Sequence, residues 1–359
     1  MTVLAELLSN QYLFFAGVSK EWRHAWGNRP KTTRAITAET SPSQLQWSFD
    51  GGLGKSWRVR QHIAEHIAEH CSGVDVLRCA NLNGCPMPEK ACFKAAARGN
   101  LEMIQWVLGE GRGWRKVLCR AAAGGGSLRI LMWAHANDCP WDATTCSEAA
   151  SSGNLEILQW ARSENCSWDE ATCSKAAGGG HLGILQWARD RGCRWDETTC
   201  SEAAGSGHLD ILRWARSKRC PWGGRTCANA AGGGHLGIIK WARARSCPWN
   251  YITCACAAEA GHLEVLQWLA RAQGCPWDTR ICIQAARIGQ LHVLEWAQSN
   301  GCPWDENTCA SAAAAGNLHI LQWLRVQGCP WDGDTCSEAA RCGNFQVLEW
   351  ARRNGCPWD

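Results

Sequence analysis

The sequence predicts an all-α protein, a solenoid of stacked helix-turn-helix repeats whose β-hairpin fingers are short or absent. Three observations predict it. A tryptophan recurs ten times with a step of 27 residues, or 28 in one case, and this regularity is typical of repeat proteins. A glycine and a linker proline recur on the same period and end helices. The apolar-polar alternation of strands is missing. The first tryptophan series is Trp106, Trp133, Trp160, Trp187, Trp214, Trp241, Trp268, Trp296, Trp323 and Trp350.

The unit that begins at Thr145 predicts two short helices. Gly153 ends the first helix, and Leu155, Ile157 and Leu158 have the spacing of one face of a second. A linker that reads Cys-Pro-Trp-Asp in half of the ten copies, as at Cys302 to Asp305, then ends the second helix through its proline. Each repeat is therefore expected to be one helical hairpin.

Two signals compete for the start of the first helix. Thr145 and Glu148 fit a capping box, in which each side chain satisfies a backbone N–H of the other residue. Asp142 is the alternative N-cap residue. The sequence leaves both assignments open.

An arginine recurs at the end of the second helix, where a cation faces the negative end of the helix dipole. We expect this arginine to cap the helix and to pack against tryptophan. The alternative is a charged row that binds an acidic partner or a phosphate backbone. The series comprises Arg162, Arg189, Arg216, Arg243 and Arg352.

The stretch from Ala203 to Leu212 resembles the ankyrin repeat, in which two alanines of the first helix lead through a glycine into the second. The period is shorter than the 33 residues of ankyrins, and the missing residues fall where ankyrins carry their β-hairpin finger. The chain resembles the short, Trp- and Cys-rich ankyrin variety of protist, algal and giant-virus proteins. This resemblance implies a protein-binding scaffold without catalytic residues.

The repeats define three regions. Residues 1–55 form an N-terminal helical segment and a loop, residues 56–84 a degenerate capping repeat in which Cys79 replaces the helix tryptophan, and residues 85–359 ten repeats.

Tyr12 to Arg23 resembles the second half of an F-box, although the Leu-Pro start of that family is missing. That resemblance implies a substrate receptor of a ubiquitin ligase, and an amphipathic cap is the simpler interpretation. The chain stops after a linker, so either the last helices tolerate exposure or the sequence is incomplete.

The net charge of +4 and the pI near 8.2 do not favour a nucleic acid partner unless the charges cluster. The first twenty residues lack a signal-peptide pattern, and no apolar stretch is long enough to span a membrane. We therefore expect an intracellular monomer that keeps its thiols reduced and binds another protein.

Many of the 24 cysteines form C-x6-C pairs on the same period. Structural zinc sites use closer pairs, and cysteine is among the most buried residues, so structural thiols are favoured over metal or disulfides. No cofactor is expected. The cysteines outside the repeat pattern are the best candidates for reactivity, and they are Cys71, Cys79, Cys256 and Cys342.

Two strings imitate enzyme motifs. His62, His66 and His70 form H-x-x-E-H twice and share one helical face that could hold a metal, but they lie in the degenerate repeat, where a polar capping face is favoured. Gly51 to Ser56 has Phe49 where a phosphate-binding loop requires glycine, so a flexible loop is expected. We expect no enzymatic activity.

The partner-binding residues are predicted from variation between copies, because the positions around the double alanine differ while the linkers barely change. By analogy with ankyrins, these positions form the binding surface. The candidates are Lys94, Glu148, Ser151, Ser152, Lys175, Asn229, Glu259, Gln284, Arg287 and Arg341.

Overall fold

The computed structural model describes residues 41–50, 57–70, 73–86, 89–109, 115–271 and 278–358. These residues form 23 helices and no strand, which confirms the all-α prediction. The F-box-like segment, the loop at Gly51 and Cys71 lie outside the described residues. None of the described helices combines the length and the apolar character that a membrane span needs.

The helices follow one another in pairs, and from α2 onward each even-numbered helix is the first of its pair (A helix) and each odd-numbered one the second (B helix). They are α1 Pro42–Asp50, α2 Trp57–His70, α3 Val74–Leu82, α4 Glu89–Ala97, α5 Leu101–Gly109, α6 Arg115–Gly124, α7 Leu128–Ala136, α8 Ala143–Ser151, α9 Leu155–Ser163, α10 Glu170–Gly178, α11 Leu182–Asp190, α12 Glu197–Gly205, α13 Leu209–Ser217, α14 Gly224–Gly232, α15 Leu236–Arg243, α16 Tyr251–Ala260, α17 Leu263–Arg271, α18 Arg280–Ile288, α19 Leu291–Ser299, α20 Glu306–Ala314, α21 Leu318–Val326, α22 Gly333–Arg341 and α23 Phe345–Arg353.

The chain divides into two compact units, Met1–Trp168 and Asp169–Asp359. Inside each unit the A helices pack on the A helices of neighbouring repeats, and each B helix packs on its own A helix. In the second unit, α10, α12, α14 and α16 form one such continuous row of A helices. Because A helices contact one another so extensively, they form the tightly stacked side of each unit.

The core repeats with the sequence. In one unit the A helix buries Thr145, Cys146 and its double alanine, and the B helix buries Ile157 and Leu158. A nine-residue helix cannot enclose these side chains alone, so neighbouring repeats must cover them. The tryptophans of the repeats whose burial the structure describes are half-buried at the edge of this core, except Trp358, which is exposed.

The start of the A helix is set by aspartate and not by threonine. The Asp142 carboxylate accepts the Thr144 N–H at 2.9 Å, and Asp169, Asp196 and Asp332 cap their helices in the same way. The capping box of Thr145 with Glu148 is therefore wrong. The backbone is extended at Asp142, and the helix begins at the next residue, Ala143. Thr145 therefore lies inside the first turn, where it is buried.

The turn between A and B helices uses a left-handed glycine, as at Gly153 with φ of 81°. The next residue connects neighbouring repeats. The Asn317 amide donates to the carbonyls of Ala286 and Arg287, both at 2.9 Å, and His235 Nε2 lies 3.1 Å from the Gly205 carbonyl oxygen. These carbonyl groups lie at the end of the A helix of the preceding repeat and have no hydrogen-bond donor within that helix. The asparagine or histidine side chain supplies the missing hydrogen bond and so connects the two repeats.

Helices α2 and α3 form a hairpin that packs against α4. Their apolar side, including Ile63 and Ile67, is buried, while His62 and His66 are half-buried. The boundaries 1–55, 56–84 and 85–359 remain predictions from the repeat pattern.

Candidate binding surfaces

The predicted partner-binding residues lie on the A helices or in the turns that follow them. They form a surface that we call the A-row face, which consists of the side chains not buried on the A helices of each unit. In the first unit it includes Lys94, Glu148, Ser151 and Ser152. In the second it includes Lys175, Asn229, Glu259, Gln284, Arg287 and Arg341.

Several of these side chains contact each other across repeats. Arg287 donates to Glu259 of the preceding A helix at 2.7 Å, and its Nε donates to Gln284 at 2.9 Å. The Asn229 amide donates to the Ser201 carbonyl at 3.3 Å. Lys94 pairs with Glu69 in the first unit. The A-row face is thus a hydrogen-bonded polar surface with charges of both signs.

Arg341 has a local partner. It pairs with Glu338 three residues earlier at 2.5 Å, and this contact lowers the pKa of the Glu338 carboxyl and raises that of the arginine. Lys175 and Ser152 are exposed, and Glu148 and Ser151 are half-exposed. The structure therefore brings neighbouring candidates together, while their role in binding stays a prediction.

Sequence reasoning missed a second group on the same face, near the beginning of the A helices. Tyr251 and Ile252 are 38% and 42% exposed, and the Arg280 guanidinium carbon lies 3.8 Å from the Tyr251 ring centroid. Arg225 is exposed at the position equivalent to Ile252 one repeat earlier. The signal was available, because these positions precede the predicted ones by one helical turn and also differ between repeats.

The recurrent arginine packs as predicted. Arg189 lies 4.1 Å from the ring centroid of Trp195 in the following linker, and its Nη1 donates to the Cys193 carbonyl. Arg216 and Arg243 repeat this arrangement with Trp222 and Trp249. The arginine therefore ties the linker to the helix, although its hydrogen bond goes to a linker carbonyl and not to the last turn of the helix.

The linker tryptophan also contacts the B helix of the next repeat. The rings of Trp195 and Trp214 meet edge to face with centroids 5.8 Å apart, and Trp222 and Trp241 do the same. Such aromatic pairs add to the packing beyond their buried area. Arginine, linker tryptophan and helix tryptophan thus form one half-buried group per repeat.

The cysteines in the repeat pattern that the structure describes are buried. Among the described residues, seven linker cysteines donate to a backbone carbonyl of the preceding linker, as Cys193 does to Asp169 at 3.3 Å. Cys193 also lies beside the A-helix cysteine of its own hairpin, Cys173, and that thiol–thiol hydrogen bond together with burial raises the pKa of Cys173. Burial raises the pKa of Cys85 and of Cys119 to about 12.

The remaining candidates differ in exposure. Cys342 is exposed, Cys256 is half-buried and Cys79 is buried. His62 lies 3.7 Å from Glu65. Within the described residues no group of three or more His, Cys, Asp or Glu side chains is placed to hold a metal ion.

The fold and these surfaces define a class, the helical-repeat solenoids, whose hairpins stack into rows with exposed side chains. No protein-family model matches the chain, and no curated protein matches it. Among solved structures it is similar to the pentatricopeptide repeat protein PPR10, in crystal structures with an 18-nt psaJ RNA element of that protein and of its triple cysteine-to-serine variant. In both comparisons the identity is 14% and the TM-score 0.39, over 99% of this chain and 58% of the other. The chain thus spans under two thirds of that protein's length.

Proposed function

We propose that this protein is a non-catalytic scaffold of short ankyrin-type repeats that binds another protein through the A-row face. The observation that carries the proposal is the contrast between buried and exposed positions of the A helices. Cys200, Cys227 and Cys254 occupy the same buried position in successive repeats. The positions that are not buried change between copies, as the exposed Lys175 and the half-buried Asn229 and Gln284 do.

The chemistry of this face suits a folded protein partner. It combines paired charges such as Arg287 with Glu259, the amide of Gln284, and the exposed Tyr251 and Ile252. Protein interfaces typically join aromatic residues and arginine in this way, with a polar rim. The ankyrin assignment is supported by the hairpin with its left-handed glycine turn and by the linkers without strands, such as residues 164–169.

The test compares two charge-reversed arrays with equal change in net charge. The A-row variant carries Lys175→Glu and Arg287→Glu, and the control carries Arg129→Glu and Arg353→Glu, which are exposed B-helix positions. The wild type and both variants are immobilised, and the proteins that each array captures are quantified by mass spectrometry. The affinity of each captured protein for each array is then measured with purified components by calorimetry. We expect a direct partner that binds the wild type and the control and that loses at least about tenfold in affinity for the A-row variant. Equal binding to both variants would refute the proposal.

A further inference from the structure

Positive charge is concentrated in one part of the chain. Residues 189–245 contain eleven Lys and Arg against five Asp and Glu, a net charge of +6, whereas the whole chain carries +4. The remaining residues are therefore slightly acidic in total. The expectation against a nucleic acid partner rested on the net charge of the whole chain, and that number does not show this cluster.

The cluster lies on one side of three consecutive repeats in the second unit. Residues 186–195, 213–222 and 240–249 form the ends of helices α11, α13 and α15 and the linkers that follow them, and they hold ten cations with Asp190 as their one carboxylate. We call this surface the basic-aromatic face. Its cations are Arg189, Arg191, Arg194, Arg213, Arg216, Lys218, Arg219, Lys240, Arg243 and Arg245.

These cations are not neutralised by carboxylates in the part of the chain that the structure describes, since none of them forms an ion pair there. Some exposed arginines elsewhere do pair, as Arg353 does with Glu349 at 2.5 Å. Three of the ten, Arg189, Arg216 and Arg243, are half-buried against linker tryptophans. The other seven are exposed.

Tryptophan rings lie between the exposed cations. Arg191 lies 4.5 Å from the Trp187 ring centroid, and Arg245 lies 4.6 Å from that of Trp241. The face therefore alternates guanidinium planes with half-buried indoles over three repeats. Neighbouring helices in such stacks are separated by about 8 to 10 Å, so the charges follow one another along a track.

Arg219 adds one more exposed cation to this face. Its φ of 62° is left-handed, a conformation in which a side chain with a Cβ costs roughly 1–2 kcal/mol. The same linker position has a left-handed φ in other repeats as well, at Asp138, Asn165, Gly192, Ser246, Gly301 and Gly328. The strain therefore belongs to the linker turn and is not specific to the basic-aromatic face.

We propose that the basic-aromatic face binds single-stranded nucleic acid independently of sequence. The exposed cations contact phosphates and release condensed counterions, and the indole and guanidinium planes stack on unpaired bases. A duplex hides the faces of its bases, and a peptide of aspartate and glutamate has no aromatic rings to stack, so neither uses both features of this face. This second binding site is distinct from the A-row face, and the proposal does not depend on the proposed binding of a protein there.

The test measures binding of a fluorescent single-stranded oligonucleotide of about 16 nucleotides, the upper end of known site sizes, by anisotropy over a range of salt concentrations. The face variant carries Arg191→Gln, Lys218→Gln and Arg245→Gln, one exposed cation from each repeat. The control loses the same charge through Arg78→Gln, Arg129→Gln and Arg353→Gln. Circular dichroism verifies that both arrays remain folded.

We expect the wild type and the control to bind with a steep salt dependence. The face variant should lose about tenfold or more in affinity at low salt, and the slope of log K against log salt should decrease by about 2, since each lost phosphate contact removes about 0.7. Unlabelled single strands should compete better than duplex DNA or polyglutamate of equal length. The proposal is overturned if the face variant binds like the control, or if duplex or polyglutamate competes as well as the single strand.

Arg219→Gly separates binding from stability. It removes a cation and also the left-handed strain, so we expect a higher urea midpoint of unfolding together with weaker oligonucleotide binding. A variant that is more stable but binds the oligonucleotide with undiminished affinity would contradict the role of Arg219 on this face.

Discussion

The guanidinium carbon of Arg216 lies 4.2 Å from the ring centroid of Trp222, and its Nη1 donates to the Cys220 carbonyl that lies between them in sequence. One side chain thereby fixes both the path of the linker and the orientation of the indole. Trp222 also packs edge to face against Trp241 of the next repeat. The conformation of the linker therefore affects how the two repeats pack.

Replacing this arginine should weaken the array. Arg216→Met keeps most of the apolar contact but removes the charge over Trp222 and the donor to Cys220. We expect a loss of about 1 kcal/mol in the free energy of unfolding, measured from urea unfolding followed by circular dichroism.

Lys218→Met is the matched control, since Lys218 is exposed two residues later. An exposed substitution of this kind should change the free energy of unfolding by less than about 0.5 kcal/mol. Equal effects of the two substitutions would show that the contacts of Arg216 contribute nothing to stability.

Two glycines that lie four residues apart in the sequence, Gly233 and Gly237, should change the stability in opposite directions when they are replaced by alanine. A Cβ at Gly233 would lie 2.3 Å from the Gly205 carbonyl oxygen, so Gly233→Ala must push neighbouring repeats apart. We expect it to cost about 1–3 kcal/mol in the free energy of unfolding.

At Gly237, inside helix α15, a Cβ would meet nothing within 4 Å. Gly237→Ala should therefore stabilise the protein by roughly 0.5–1 kcal/mol, because alanine loses less backbone entropy in a helix. Thermal unfolding midpoints of the two variants decide the matter, and a shift in the same direction for both would contradict the close backbone contact at Gly233.

Stability should decline at alkaline pH because of the buried thiols. Burial raises the pKa of Cys119 from its ordinary value of 9.0 to about 12. Between these values the unfolded chain loses the thiol proton while the folded protein keeps it. The folded state then binds more protons than the unfolded state, so the free energy of unfolding decreases as pH rises. The stabilising contribution is fully present below pH 9 and is lost toward pH 12.

The measurement is the urea midpoint as a function of pH from 8 upward, compared between the wild type and Cys119→Ala. Removing the thiol should make the decline shallower, whatever the change in absolute stability. If Cys119→Ala leaves the slope unchanged, burial of this thiol is not a source of the pH dependence.

The fold could be predicted from the sequence because its determinants are local and repeated. Gly153, the linker prolines and the spacing of Leu155 and Leu158 each act within a few residues, and ten copies average out the exceptions. The packing of the recurrent arginine against tryptophan was predicted as well, and Arg189 and Trp195 are only six residues apart. The predicted cap of the helix was not found, because the arginine donates to a linker carbonyl. The helix start was ambiguous because Asp142 and Thr145 both carry capping side chains, and backbone geometry favoured the aspartate.

The sequence by itself predicted the repeated helical hairpins, the glycine turn inside each of them and the candidate A-row residues. Only the tertiary structure decided which side chains meet across repeats, such as Arg287 with Glu259, 28 residues apart. It also decided that ten of the eleven cations of residues 189–245, all except Arg225, lie at the ends of three B helices and in the linkers that follow them, beside tryptophans. The physical reason is that stacking places every 27th residue side by side, so a surface forms from positions that are distant in sequence and close only after the repeats pack.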